Sequence, residues 1–223
     1  MKFGVVIFPG SNCDKDIITA LRDEMQQEVI ELWHKDRDLS NFNKTDCIVL
    51  PGGFSYGDYL RCGAIAKFSP MMQGVIEFAH AGGKVLGICN GFQILCESGL
   101  LPGVLLRNAN MQFVCKNIFM TSNGDRQKQV FKIPVAHGEG RYYANDETLN
   151  NLEKHNGIVY KYCDKTGNIT NAANPNGALL NIAGICNRQG NVIGMMPHPE
   201  RACSKVLNNE DGRKVLSDLF SIN

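Results

Sequence analysis

Lys84-Val85-Leu86-Gly87-Ile88-Cys89-Asn90-Gly91-Phe92-Gln93-Ile94-Leu95-Cys96 runs from a strand-like apolar stretch into a helix-like one, and the turn between them carries a cysteine. A side chain at such a tight strand-to-helix turn is thrust out over the end of a sheet. Glycines two residues before and after it let the neighbouring backbone pass without collision. The helix behind Cys89 presents unpaired N–H groups and the positive end of its dipole, which favour negative charge at the sulfur and on a nearby oxyanion. Cys89 therefore reads as an attacking thiolate at a nucleophile elbow.

Outward from the elbow, the first half of the chain alternates strand and helix signals. Phe3 to Phe8 reads as a buried strand, and a helix follows from about Asp14, its stripe formed by Ile17, Ile18, Leu21 and Met25. Val29 to Leu32 and Cys47 to Leu50 read as strands. A helix from Pro70 to His80, with Met72, Val75, Ile76 and Ala79 on one side, feeds the elbow strand, and His80 falls where it would cap that helix. This alternation predicts an α/β fold, an open, mostly parallel sheet flanked by helices. The second half is richer in strands, at Gln112 to Met120, Gln129 to Ala136, Gly157 to Cys163, Ala178 to Cys186 and Val192 to Met196, before a closing helix around Asp211 to Phe220. No linker, repeat or low-complexity tract interrupts the 223 residues, so one domain over 1–223 is expected.

A formal charge of +1 gives no global reason to bind nucleic acid or an anionic membrane. The apolar run at the N-terminus is too short and too soon broken by Pro9 for a signal peptide, and no later run reaches membrane-spanning length. The expectation is a soluble, cytoplasmic protein acting on small molecules. Nine cysteines include no C-x-x-C pair, so neither a disulfide framework nor a zinc knuckle is suggested. Cys47, Cys115, Cys163 and Cys186 in strand-like runs, and Cys96 on an apolar helix face, are expected in the core. Cys13, Cys62 and Cys203 fall in segments that could lie near a site, but none has an elbow.

A thiolate attacking a carbonyl needs a base to move protons, an acid to orient that base, and donors for the oxyanion. His198, in Met196-Pro197-His198-Pro199-Glu200, follows a strand end and is held extended by the prolines on either side. Side chains at i and i+2 of an extended segment point the same way, so the Glu200 carboxylate can fix the tautomer of His198 while the other ring nitrogen serves the thiol. Gly52 and Gly53, in Pro51-Gly52-Gly53-Phe54 at another strand end, offer unobstructed backbone N–H groups, which with the amide of Asn90 could form an oxyanion hole. His137, in Ala136-His137-Gly138-Glu139-Gly140-Arg141, is the rival base and reads as pocket wall or substrate contact. His34 and His155 lie among polar residues and are expected to be solvated. Neither phosphate-cradling glycine motif is present, so no nucleotide site is recognisable.

Gly87-Ile88-Cys89-Asn90-Gly91-Phe92-Gln93, Pro51-Gly52-Gly53 and His198-Pro199-Glu200, in this arrangement, resemble the class I, triad-type glutamine amidotransferases of flavodoxin-like fold. Phe8-Pro9-Gly10-Ser11-Asn12-Cys13-Asp14, Gly53 to Arg61 and Pro197-His198-Pro199-Glu200-Arg201 narrow the likeness to the glutaminase subunits of phosphoribosylformylglycinamidine synthase in purine biosynthesis. The resemblance implies that Cys89 attacks the side-chain amide of glutamine, that His198 shuttles protons and that Glu200 orients it. It further implies Gly52 or Gly53 and Asn90 as oxyanion donors, and Gln93, Asn108 and His137 as contacts to glutamine. No cofactor is implied for this chain; ATP and Mg belong to a separate synthetase subunit, with a small third subunit as a further partner. The alternatives are an amidotransferase of another pathway, a cysteine hydrolase of the DJ-1/PfpI type, and a non-enzymatic subunit that keeps the fold.

Overall fold

The computed structural model describes residues 1–123 and 129–220. β1 (Lys2–Ile7) is buried along Phe3 to Val6, on both faces, as a central strand of a helix-covered sheet must be. α1 (Asp14–Thr19) continues through a π-helical turn over Ala20–Glu24, and Ile17, Ile18, Leu21 and Met25 are all buried, as their spacing predicts. β2 (Glu28–Trp33) and β3 (Cys47–Leu50) follow. α2 (Pro70–His80) starts from Ser69, whose hydroxyl accepts from the Met72 amide, and has Pro70 in its first turn, where a missing N–H costs nothing. β4 (Lys84–Ile88) leads directly through Cys89 into α3 (Asn90–Glu97).

The second half comprises β5 (Val104–Leu106), β6 (Val114–Ser122), β7 (Val130–His137), β8 (Arg141–Tyr143), α4 (Asp146–Lys154), β9 (Ile158–Cys163), β10 (Ile182–Cys186), β11 (Val192–Met195) and α5 (Asp211–Phe220). Among the described residues one nine-stranded sheet runs in the order β2-β1-β3-β4-β11-β10-β9-β6-β7, and β5 pairs with β8 apart from it. From β2 through β4 to β11 every pairing is parallel; from β11 through β10, β9 and β6 to β7 every pairing is antiparallel. The expected, mostly parallel sheet is thus built by the first half together with β11, and β10, β9, β6 and β7 extend it by antiparallel pairing. β1 lies between β2 and β3, so the chain leaves it in opposite directions, and the carboxyl ends of β1 and β3 open a crevice at that switch point.

Several local expectations are corrected. The strand expected from Ala178 begins only at Ile182, because Leu179–Asn181 form a 3-10 turn with Leu180 at φ 52°. Asn181 Nδ2 holds that turn by donating to the carbonyls of Tyr162 and Thr170. Cys115 is exposed, since β6 at this end belongs to the outer ribbon and is not covered on both faces; Cys96 and Cys186 are half-buried, while Cys47 and Cys163 lie in the core. His34 is buried rather than solvated. Its Nδ1 meets the Tyr56 hydroxyl at 2.5 Å, and its carbonyl accepts from the Met71 amide at the start of α2. His155 is exposed at the end of α4, as expected.

Candidate active site

Cys89 has φ 50° and ψ −102°, outside the regions that a residue with a side chain adopts without strain. Packing holds it there. Its amide donates to Met195 O of the neighbouring strand at 2.8 Å, so the elbow is pinned to β11. A Cβ on Gly87 would come within 2.6 Å of the Gly91 carbonyl group, and one on Gly91 would run into the Leu50 carbonyl. The two flanking glycines are therefore required by the close approach of α3 to β3 and β4. The thiol itself is directed toward Ala136 O at 3.8 Å.

The His-x-Glu pair forms as its spacing predicts. Pro199 opens a 3-10 turn through Ala202, and α5 clamps that turn from behind, where a Cβ on Gly212 would collide with the Pro199 carbonyl. His198 Nδ1 and Glu200 Oε1 are 2.6 Å apart, both side chains 1% exposed. His198 Nε2 is buried, with no hydrogen-bond partner among the described residues. Burial alone would drive the imidazole neutral, but the Glu200 carboxylate and the Cys89 sulfur outweigh it and raise its pKa from 6.5 to about 10. The ring packs on Gly52, where a Cβ would stand 2.7 Å from His198 Cε1.

The glycine loop is held from three sides. The Ser11 hydroxyl donates to Gly52 O at 3.2 Å, the Tyr56 amide donates to Pro9 O at 2.6 Å, and Gly53 occupies φ 116°, which only glycine tolerates easily. From α3, Asn90 Oδ1 accepts the Ser55 amide while its Nδ2 donates to Asp58 Oδ1 at 3.0 Å and to Gln93 Oε1 at 2.9 Å. Gln93 in turn donates to Glu139 O. One asparagine therefore ties the glycine loop, the helix behind the nucleophile and the 137–140 turn together.

These elements enclose a cavity of about 180 Å³ lined by Cys89, His198, Gly53, Gln93 and His137, which sequence reasoning selected, and also by Asp58, Glu139 and Arg201, which it did not assign. Asp58 sits at φ 52° and accepts from the Cys62 thiol, an arrangement with no local sequence signal. Gly52 and Glu200 stand behind His198, and the Asn90 side chain stands beneath the loop. Asn108 is not brought to the cavity. It is fully buried, its Nδ2 donating to Gln112 O and His137 O and its Oδ1 accepting from the Gly140 amide and His137 Nδ1, so no group is left to meet a ligand.

The other thiols near the cavity are poor nucleophiles. Burial pushes Cys13 up to about 12 despite the Arg201 guanidinium 3.1 Å from its sulfur. Burial and the Asp58 carboxylate raise Cys62 further, and burial and Glu200 raise Cys203 to about 12. Burial, then the charge of His198, lowers His137 to about 4, so this ring stays neutral. Among the described residues no group of three or more His, Cys, Asp or Glu side chains is placed to hold a metal, and no helix is long and apolar enough to cross a membrane.

A family model of the CobB/CobQ-like glutamine amidotransferase domain matches residues 1–219. The phosphoribosylformylglycinamidine synthase subunit PurQ of Moorella thermoacetica is 55% identical over 98% of this chain and 95% of its own length. The subunit of the same description from Gloeobacter violaceus is 52% identical, covering 99% and 97%. Among solved structures, a chain of PurLQS from Thermotoga maritima superposes with a TM-score of 0.83 at 38% identity, covering 99% of this chain and 97% of that one. Another glutamine amidotransferase from Thermotoga maritima, with a TM-score of 0.55 at 16% identity over 98% of this chain and 90% of its own, shares the fold.

Proposed function

The chain belongs to the PurQ family of phosphoribosylformylglycinamidine synthase subunits, within the glutamine amidotransferases, and on that footing we propose a mechanism in which it hydrolyses glutamine to glutamate and ammonia. Cys89 adds through sulfur to the side-chain amide carbon, and His198, whose raised pKa suits the ring to hold it, carries the proton that the thiol gives up. The oxyanion that forms receives backbone N–H groups at the start of α3, from Asn90, and from the Gly52-Gly53 turn. Ser11 holds Gly52 O on one side of a trans peptide, so the N–H of that peptide, which belongs to Gly53, points the opposite way and is the donor this arrangement favours. Collapse expels ammonia, protonated by His198, and leaves a glutamyl thioester. Water, deprotonated by the same imidazole, then releases glutamate and restores the thiol. Glu200 orients the ring and stabilises its cationic form.

The observation that carries this reading is the convergence of a strained Cys89 and a sealed His198–Glu200 pair on one cavity. We assign the ammonia to an ATP-binding synthetase subunit, assisted by a small third subunit; the likeness to a chain of PurLQS from Thermotoga maritima supports this assignment. That subunit converts formylglycinamide ribonucleotide to formylglycinamidine ribonucleotide, and ATP and Mg are placed there, in keeping with the absence of a phosphate-loop motif in this sequence. The cytoplasm is the compartment this work calls for. A peptidase or deglycase of the DJ-1/PfpI type would need an acid near the end of β1, where Phe8-Pro9-Gly10 stands.

Steady-state glutaminase assays of the chain alone, with ATP, and with the substrate-loaded synthetase test the proposal. Glutamine hydrolysis should be slow in the isolated chain, unchanged by ATP, and at least a hundred-fold faster with the partner, a span that repositioned oxyanion donors can supply. Full activity alone, unaltered by the synthetase, would overturn the coupling; no hydrolysis under any condition would overturn the activity.

A further inference from the structure

The hydrogen bonds around Asn108 decide which nitrogen of His137 carries the proton. Asn108 Nδ2 stands 2.8 Å from Gln112 O and 2.9 Å from His137 O, both of which can only accept. Its Oδ1 stands 3.0 Å from the Gly140 N–H, which can only donate. The amide can therefore be oriented in one way alone, and Oδ1 is the acceptor for His137 Nδ1 at 3.1 Å. A carbonyl oxygen cannot donate, so Nδ1 carries the hydrogen and Nε2 is a bare lone pair. That Nε2 is buried and has no hydrogen-bond partner among the described residues, and its ring lines the Cys89 cavity. A buried acceptor without a donor is costly unless a ligand supplies one.

We infer that Asn108 is a positioning residue that fixes His137 as the Nδ1–H tautomer, so that Nε2 receives an N–H group of the bound amide substrate. The inference rests on the glutaminase reading and deepens it. A carboxylate oxygen placed at Nε2 would meet lone pair with lone pair, so the site discriminates by hydrogen-bond polarity rather than by size. Glutamine carries two such donors, its carboxamide and its α-ammonium group.

Long-range ¹H–¹⁵N correlation spectra of the labelled chain read the tautomer directly. At neutral pH His137 should show a protonated Nδ1 and an unprotonated Nε2; the reverse tautomer, a rapid mixture or an imidazolium would overturn the inference. Glutamine and its des-amino analogue, 4-carbamoylbutanoate, are then added to the Cys89→Ala chain. A shift of Nε2 with both compounds assigns the carboxamide as donor, and a shift with glutamine alone assigns the ammonium. Glutamine binding visible at other resonances with Nε2 unmoved would overturn the contact, whereas no binding at any resonance would count against the glutaminase reading. In Asn108→Ala the tautomers should mix, and KM for glutamine should rise about ten-fold, one hydrogen bond's worth, with kcat changed less. An unmixed tautomer in a folded Asn108→Ala chain would remove Asn108 from this role.

Discussion

His198 Nδ1 lies 2.6 Å from Glu200 Oε1, and the two side chains, separated in sequence by Pro199 alone, are sealed from solvent together. The prolines beside His198 and the clamp of α5 on the Pro199 turn make this contact a property of the backbone, so the ring enters catalysis already oriented. His198→Ala should lower kcat for glutamine by about 10⁶-fold. Glu200→Gln should cost about a hundred-fold less, because an amide still holds the ring but no longer stabilises its cation. Equal losses in the two variants, measured as kcat in the partner complex, would contradict this division of roles.

Asn90 is predicted to matter through its side chain as well as its backbone. Removing it in Asn90→Ala frees the Ser55 amide and leaves Asp58 and Gln93 without their shared donor. The glycine loop should lose its fixed geometry, with kcat falling about a hundred-fold and hydrogen exchange at Ser55 accelerating. Wild-type kcat with unchanged exchange would show that the loop is held by other contacts.

The elbow and the His-x-Glu pair were legible because each is specified locally. Gly87 and Gly91 bracket Cys89 within one turn, and residues 198 and 200 share a side by the period of extended chain. The parallel half of the sheet followed from strand–helix alternation in the same way. What stayed illegible depends on contacts distant in sequence. Asn108 is consumed by the 137–140 turn, His34 is buried by Tyr56 and α2, and Cys115 is exposed because the β6–β7 ribbon projects at the sheet's edge. A strand-like pattern does not say whether both of its faces will be covered.

Stability should depend on pH through His137. Its pKa falls from the ordinary 6.5 to about 4 in the folded chain, burial being the larger cause and His198 the second. Between those values the unfolded chain binds a proton that the folded chain refuses, so this contribution is present above pH 6.5 and is lost as pH falls toward 4. One proton over that interval amounts to about 3 kcal/mol. His198 acts in the opposite window: its raised pKa gives stability that is full below 6.5 and is lost as pH rises toward 10. Urea unfolding of the wild type and His137→Gln from pH 7 to pH 4 should show the wild type losing about 3 kcal/mol more than the variant. Parallel curves would mean that His137 is not held neutral.

Cys89, alone among nine cysteines, is assigned as the nucleophile toward glutamine. Peptide mapping by mass spectrometry after treatment with a glutamine-like diazo ketone tests it most directly. A single adduct on Cys89 is expected, suppressed by excess glutamine and absent in a folded Cys89→Ser chain that no longer hydrolyses glutamine. Substantial labelling of Cys13, Cys62 or Cys203, or glutamine hydrolysis surviving in Cys89→Ser, would contradict it.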